Sequence, residues 1–306
     1  MKANAGSSTS SSASTDVPAP ARRLFGTLRS LEGEREIPVG PQQRTSETRS
    51  SLPEVVAPPL PQGPRAIFVM GPGRSGKTTF LRYVIETMSA DTSALAAALD
   101  PQNRSLATFM EDVYQPSVTD PAGVARWAEE FLGFVMAEGH TALMDMGGGD
   151  LSMGKLLEDV PDLAGNLEEA GVHPVAVYTL SPRVDDLGVL AGYEAQGFRP
   201  KATALVLNVG LADPTMPREE AFARVLRHSA FQAATARGAV PIWMPRLDAT
   251  VAAEIEGKRL RFAQARDGKA PADQPGAVLG PFNRSRVRKW MTDMEAAFAP
   301  IRSWLP

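Results

Sequence analysis

The segment RAIFVMGPGRSGKTT, residues 65–79, decides the expected fold of this chain. An apolar run from Ala66 to Met70 stops abruptly at Gly71, as a short buried strand does before a turn. After the glycines, apolar residues recur at helical spacing at Phe80, Leu81, Val84, Ile85 and Met88. The segment therefore predicts a strand, a glycine-rich loop and a helix, in that order.

The loop from Gly71 to Thr78 fits the phosphate-binding pattern G-x-x-x-x-G-K-T. Glycines let the backbone curl around a phosphate with its N–H groups inward, and the start of the helix adds the positive end of its dipole. In this pattern Lys77 reaches the β- and γ-phosphates and the Thr78 hydroxyl binds Mg²⁺. The residues of the loop that we expect to bind nucleotide are Gly71, Gly73, Arg74, Ser75, Gly76, Lys77, Thr78 and Thr79.

Two other interpretations use the same residues. Residues 71–76 also form G-x-G-x-x-G, and Asp100 follows where a dinucleotide-binding fold places the acid that binds ribose. The sequence Lys77-Thr78-Thr79 favours a triphosphate with Mg²⁺, because a pyrophosphate bound at a helix start does not require a cation and two hydroxyls there. A glycine turn that binds no ligand is the third interpretation.

Composition excludes several classes of protein. The chain has 306 residues, of which 43% are hydrophobic and 22% charged, as in ordinary globular domains. It has no cysteine, which excludes disulfides, zinc–thiolate sites and thiol catalysis. No apolar run approaches the roughly 18 residues of a membrane span, and the first residues lack the apolar core of a secretory signal. We therefore expect a cytoplasmic protein without a membrane span.

The net charge of −3 is unevenly distributed. Residues 1–64 are rich in Ser and Pro and contain a single aromatic residue, Phe25, which predicts a disordered arm that could bind a protein partner. Residues 65–306 are expected to form one P-loop ATPase domain. Its last 50 residues carry ten basic and four acidic side chains, and they predict a basic helical segment at the C-terminal end of an otherwise acidic domain.

Strand and helix patterns alternate after residue 65. We predict further strands at 93–99, 141–144, 173–180, 202–209 and 240–244, and helices at 106–114, 122–137, 151–170, 184–196, 218–237 and 284–298. Strands separated by helices of this length indicate an α/β fold with a doubly wound, mostly parallel sheet and helices on both faces. Ligands of such sheets bind beyond the carboxyl ends of the strands.

Two aspartates follow strands at that end. Asp145 terminates an apolar strand after the phosphate loop, where a carboxylate that binds Mg²⁺ belongs. Asp100 is the candidate to orient or activate the attacking water, so the expected catalytic residues are Lys77, Asp100 and Asp145. Each aspartate has an ordinary alternative as a turn residue, beside glycines for Asp145 and before Pro101 for Asp100.

A set of short motifs occurs in order along the chain: the loop 71–79, Leu99-Asp100-Pro101-Gln102-Asn103, Leu143-Met144-Asp145 with glycines after it, Val206-Leu207-Asn208, and Met244-Pro245-Arg246-Leu247. Together they resemble the ParA/MinD group of P-loop ATPases, which includes plasmid and chromosome partition proteins and conjugation-associated relatives. The resemblance covers residues 65 to about 262. It implies ATP and Mg²⁺ as cofactors, with Asp100 in switch I and Asp145 in switch II. It also implies that Asn208 reads the adenine edge while Pro245 and Arg246 pack on the base.

The chain departs from the family pattern at two positions. Pro72 stands where most members have a lysine that reaches the nucleotide of the partner subunit, and Ala98 stands where a second aspartate is usual. The homodimer that the resemblance implies would have to form without that lysine, for which Arg74 is a conceivable substitute.

The expected function is a Mg²⁺-dependent ATPase switch with weak turnover, acting in plasmid partition or in conjugative DNA maintenance. A small-molecule kinase is one alternative, although only Arg104 and Arg126 lie between Asp100 and Asp145, where an arginine-rich lid would be needed. A non-catalytic ATP-binding scaffold is the other. Non-specific DNA binding is expected from four residues of the C-terminal helix, unless that helix is simply solvated: Arg284, Arg286, Arg288 and Lys289.

Overall fold

A seven-stranded parallel sheet organises the part of the chain that the structure, a computed structural model, describes: residues 52–88, 93–100, 106, 109, 112–147 and 151–306. The strands are β1 Arg65–Met70, β2 Ala94–Ala98, β3 Val113–Tyr114, β4 Thr141–Asp145, β5 His173–Leu180, β6 Ala202–Asn208 and β7 Val240–Met244. Their order across the sheet is β3-β2-β4-β1-β5-β6-β7. The predicted arm over residues 1–51 lies outside the described residues.

Among the described residues, helices lie between most successive strands and after β7. They are α1 Lys77–Thr87, α2 Pro121–Glu138, α3 Ser152–Asp159, α4 Leu163–Glu169, α5 Leu187–Ala195, α6 Arg218–Ala221, α7 Ala223–Leu226, α8 Ser229–Ala236, α9 Ala249–Gly257, α10 Phe262–Asp267 and α11 Pro281–Phe298. Short 3₁₀ segments cover Val184–Asp186, Val209–Leu211 and Ala299–Trp304. Among the described residues, no helix combines the length and the apolar character needed to cross a membrane.

The central strand β1 shows why helices are needed on both faces. Its side chains alternate, so that Phe68 packs in one apolar cluster with helices α2 to α5, whereas Ile67 and Val69 pack in another with α1 and α11. All three side chains are fully buried. A strand covered on both faces reads as a continuous apolar run, and the predicted doubly wound α/β fold is confirmed.

The boundaries of several elements differ from prediction. Val113 and Tyr114, assigned to the end of a helix, instead form the edge strand β3 and pair with Ala96 and Ala97 of β2. The predicted helix 151–170 is interrupted at Pro161, which cannot donate a backbone hydrogen bond within a helix. The predicted helix 218–237 is likewise divided into α6, α7 and α8, and neither α9 nor α10 was predicted.

Residues 52–64, which the sequence analysis assigned to the arm, pack on the domain. Leu52 lies against the first cluster, and Val55 and Leu60 lie against the second. The Trp304 indole N–H donates to the Pro58 carbonyl at 2.8 Å. Leu52, Val55 and Leu60 are partly buried by these contacts, whereas Val56 is exposed, so the packed domain begins before residue 65.

Candidate functional site

The site is built where β1 and β4 end side by side. Val69 pairs with Asp145 across these strands, the loop 71–76 leaves β1, and α1 begins at Lys77. This arrangement brings the Thr78 hydroxyl to Asp145, and Oγ1 donates a hydrogen bond to Oδ2 at 2.9 Å. The two predicted metal ligands are therefore in contact.

The Lys77 ammonium lies within the loop. Its side chain is nearly buried, with 7% of the residue exposed, and Nζ donates to the carbonyl oxygens of Gly71 and Pro72 at 3.1 Å each. Burial lowers the pKa of this amine, and the negative charges of Asp145 and Asp100 partly offset that effect. The loop thus positions a cation that an incoming anion would stabilise.

Asp145 is 5% exposed, and burial raises its pKa to about 6. The nearby Lys77 charge and the hydrogen bond from Thr78 favour the ionised carboxylate, but they do not outweigh desolvation. A divalent cation would stabilise the ionised form strongly. A carboxylate and a hydroxyl in contact, beside a phosphate loop, are the donor set that holds Mg²⁺ in P-loop proteins.

Two glycines of the loop are required by its geometry. Gly71 and Gly76 have φ of 145° and 102°, which other residues rarely adopt. A Cβ at Gly71 would lie 2.5 Å from the Thr179 carbonyl oxygen, and a Cβ at Gly76 would overlap the Asn208 amide. Gly73 is different, because a Cβ there would meet nothing within 4 Å.

Side chains at the ends of β5 and β6 hold the loop from behind. The hydroxyls of Ser75 and Thr179 are 2.6 Å apart, and Asn208 Nδ2 donates to the Ser75 carbonyl at 2.8 Å. Asn208 Oδ1 accepts from the Gly210 N–H at 3.0 Å. Asn208 therefore fixes the phosphate loop, and its predicted contact with adenine stays a prediction. Thr179 was not predicted, because nothing in the strand pattern distinguishes it.

Two cavities open beside the loop, one of about 280 Å³ and one of about 250 Å³. The first, which we call the phosphate cavity, contains all three predicted catalytic residues: Lys77, Asp100 and Asp145. The second, the base cavity, is lined by Asn208, Pro245 and apolar side chains such as Leu247. Both cavities share the same dividing wall, formed by Arg74, Gly76, Thr79, Arg82 and Glu256.

Arg246 is oriented differently from its neighbour Pro245. Its guanidinium donates to the carbonyl oxygens of Val209 and Ala212, at 3.0 and 2.6 Å. It holds the segment after β6 in place and does not line the base cavity. The Pro245 carbonyl accepts from the Trp290 indole at 3.1 Å, so α11 supports the same loop.

The wall residue Arg82 was missed by the sequence analysis. It is 4% exposed, and its guanidinium lies between the rings of Phe109 and Phe262, 3.7 and 4.4 Å from their centroids. One nitrogen donates to the Leu260 carbonyl at 2.9 Å. In the sequence, nothing distinguishes Arg82 from other charged residues of a helix. Its position in the site follows from the packing of α10 against α1.

The basic residues of α11 differ in exposure, and Arg284 is half-buried, three residues before the buried Val287. Trp290 and Met294 point into the core, while Arg286, Arg288 and Lys289 are exposed. Lys289 is paired with Asp293 at 2.6 Å. Binding of DNA by this helix stays a prediction.

The strand, loop and helix geometry defines the fold class. The protein has a P-loop NTPase-like α/β fold. No protein-family model matches the sequence, and no curated protein matches it. The resemblance to the ParA/MinD group therefore stays a prediction.

The chain is also similar, at low identity, to several solved structures. The chain is similar to the cell division protein FtsY from Thermotoga maritima at 18% identity over 62% of this chain and 63% of that one, with a TM-score of 0.39. The signal recognition particle 54 kDa protein from Aeropyrum pernix K1, in complex with GDP, is 15% identical over 79% of this chain and 50% of that one, with a TM-score of 0.39. Chloroplast FtsY from Physcomitrella patens is 16% identical over 63% of this chain and 62% of that one, with a TM-score of 0.40. The chain thus spans between half and two thirds of the length of these proteins.

Proposed function

We propose that this protein is a cytoplasmic, Mg²⁺-dependent ATP switch of the ParA/MinD type that hydrolyses ATP slowly. The hydrogen bond between Thr78 and Asp145, beside the Lys77 ammonium, is the observation that carries the proposal. A hydroxyl, a carboxylate and a loop-bound amine in this arrangement have the chemistry needed to hold a triphosphate with its metal.

Each residue has a distinct role in this proposal. The loop N–H groups and Lys77 hold the β- and γ-phosphates, while Thr78 and Asp145 hold Mg²⁺, which neutralises charge on the phosphate oxygens. Asp100, on the wall of the phosphate cavity, orients the attacking water. Because phosphoryl transfer requires mainly positioning and charge stabilisation, slow hydrolysis needs no further catalytic group.

The base cavity supports a nucleoside next to the phosphates. Asn208 presents an amide on its wall, and Pro245, Leu247 and Ile255 provide apolar surface that can pack on a base. An amide can match the donor and acceptor of adenine. The choice of ATP over GTP rests on the resemblance to the ParA/MinD group, so both nucleotides belong in the test.

The first experiment is calorimetric titration of the full chain with ATP and with GTP, each with and without Mg²⁺. We expect ATP to bind, GTP to bind more weakly and removal of Mg²⁺ to weaken both. A wild-type chain that binds neither nucleotide would refute the proposal.

A second experiment asks what the nucleotide controls. We propose that ATP promotes a homodimer and non-specific DNA binding through α11, in plasmid partition or conjugative DNA maintenance. Size-exclusion chromatography and duplex DNA mobility shifts, with ATP or ADP present, test both steps. DNA binding should weaken steeply with salt, because it depends on the release of counterions from phosphates. Tight ATP binding without turnover would indicate a scaffold, and turnover only with a small-molecule acceptor would indicate a kinase.

A further inference from the structure

Arg74 has a backbone conformation that its side chain disfavours. Its φ is 63°, in the left-handed region, which only two other non-glycine residues among those described adopt, Asp162 and Arg259. Glycine would adopt this conformation without strain, and the same loop has glycine on either side of Arg74, at Gly73 and Gly76. An arginine at a position where glycine would avoid backbone strain indicates that the side chain has a function.

The Arg74 side chain lies where the cavities around the loop meet. It lines the phosphate cavity, the base cavity and a third cavity of about 520 Å³, which is also lined by Pro72 and Leu211. It is exposed, and it makes no hydrogen bond or ion pair with any residue that the structure describes. Its guanidinium is thus available to a ligand that enters any of the three cavities.

The other cations of the phosphate cavity are already engaged. Lys77 donates to two loop carbonyls, and Arg82 donates to the Leu260 carbonyl between two aromatic rings. The cavity also contains the carboxylates of Asp100, Asp145 and Glu256. A polyphosphate entering it would meet three acids and only one cation that has no partner among the described residues.

We propose that Arg74 binds the phosphate chain of the nucleotide from the solvent side of the loop and slows nucleotide release. The planar guanidinium presents paired N–H donors that match two oxygens of a phosphate group. Because the Arg74 side chain also borders the base cavity, it would cover the phosphate chain of the nucleotide between the loop and the nucleoside. This inference rests on the proposed nucleotide binding and adds to it the residue that sets the lifetime of the complex.

The test uses Arg74→Gly with a matched control, Arg259→Gly. Both are exposed arginines in the left-handed region, with φ of 63° and 50°, so glycine relieves the backbone and removes one positive charge at each position. Arg259 lines none of the three cavities. Release of ATP and GTP carrying a fluorescent label on the ribose is followed by stopped flow, after addition of excess unlabelled nucleotide.

We expect Arg74→Gly to release both nucleotides about tenfold faster, with a melting temperature at or above that of the wild type. The difference should shrink as salt is raised, since the contact is exposed to solvent. Arg259→Gly should release nucleotide at the wild-type rate. Arg74→Lys, which keeps the charge without the paired donors, should fall between the wild type and the glycine variant.

Several results would overturn the inference. If Arg74→Gly releases nucleotide at the wild-type rate, nucleotide binding stands and the role of Arg74 is wrong. If Arg259→Gly accelerates release equally, the effect belongs to net charge and not to this site. If wild-type protein binds neither nucleotide, the proposed function fails and this inference fails with it.

Discussion

At the scale of single residues, the site holds two groups of opposite charge, Lys77 and Asp145, nearly buried beside the phosphate loop. Lys77 is bound to loop carbonyls and Asp145 to the Thr78 hydroxyl. Burial opposes ionisation of both groups, lowering the pKa of the lysine and raising that of the aspartate. Each of the two charges therefore lowers the stability of the folded protein through desolvation.

Replacing Lys77 by Ala should weaken nucleotide binding and leave the fold intact. A hydrogen bond to a charged group contributes about 1.5–3 kcal/mol, so we expect affinity to fall by a factor of roughly 10 to 150. Calorimetric titration measures the affinity, and thermal unfolding checks the fold. Lys155→Ala, at an exposed lysine of α3, is the control and should bind as the wild type does. Unchanged affinity in Lys77→Ala would contradict the phosphate-loop assignment.

Replacing Asp145 by Asn should stabilise the protein in the absence of Mg²⁺ and nucleotide. The pKa of Asp145 is about 6 in the folded state against its usual value of 3.8. An acid with a raised pKa destabilises the fold when it is ionised, here by about 3 kcal/mol. The increase in the free energy of unfolding of Asp145→Asn over the wild type should be complete above pH 6. It should decline as the pH falls from 6 to 3.8 and vanish below pH 3.8. Urea unfolding over this pH range measures it, and a gain that does not depend on pH would refute the explanation.

At the scale of elements, the phosphate loop is held by both the glycines and the strands behind it. Gly76→Ala would force a Cβ onto the Asn208 amide at a φ of 102°, so we expect a loss of about 2–4 kcal/mol of stability and loss of nucleotide binding. Gly73→Ala has open space around the added carbon and should change stability by less than about 0.5 kcal/mol. Urea unfolding of the two variants gives the comparison. Equal stabilities would mean that the loop is not held by Asn208.

Helix α11 is connected to the base cavity through Trp290. Its indole N–H donates to the Pro245 carbonyl, and its ring packs against Phe262 with centroids 4.8 Å apart. Trp290→Phe removes the hydrogen-bond donor and should lower the free energy of unfolding by about 1–2 kcal/mol. It should also weaken nucleotide binding, because Pro245 lines the base cavity. Trp127→Phe, on α2 and stacked on Phe131, is the matched control for ring size. If the two variants bind nucleotide equally well, α11 does not support the base site.

The elements that the sequence predicted well are those whose signal is local. Strand β5 and strand β7 have the predicted bounds, because each is an apolar run between turn residues. Strand β3 was missed since two residues carry no periodicity, and its structure comes from pairing with β2. The residues of the phosphate loop were predicted because their spacing is a local signal. Arg82 and Glu256 join the site only through the packing of α1, α9 and α10, which no local pattern shows.

At the scale of the whole molecule, the segment 52–64 extends the domain beyond the predicted boundary. It contributes apolar contacts from Leu52, Val55 and Leu60 and the hydrogen bond between Pro58 and Trp304. We expect a chain that begins at residue 52 to unfold in urea like the full chain. A chain that begins at residue 65 should have a free energy of unfolding lower by about 2–3 kcal/mol, since it exposes the apolar surface under the segment and leaves the Trp304 indole N–H without its acceptor. Equal stability of the two shortened chains would show that the segment contributes nothing.

The position of β1 at the centre of the sheet has a consequence for synthesis of the protein. Its neighbours β4 and β5 begin at Thr141 and His173, so β1 leaves the ribosome long before either exists. At about 5–20 residues per second, synthesis reaches β5 on the order of 5–20 seconds after β1, and for that time one edge of β1 has no partner strand. The hydrogen bond from Asn208 to the Ser75 carbonyl of the phosphate loop forms later still, because Asn208 belongs to β6. Translation must therefore reach residue 208 before the phosphate site of a nascent chain can be complete.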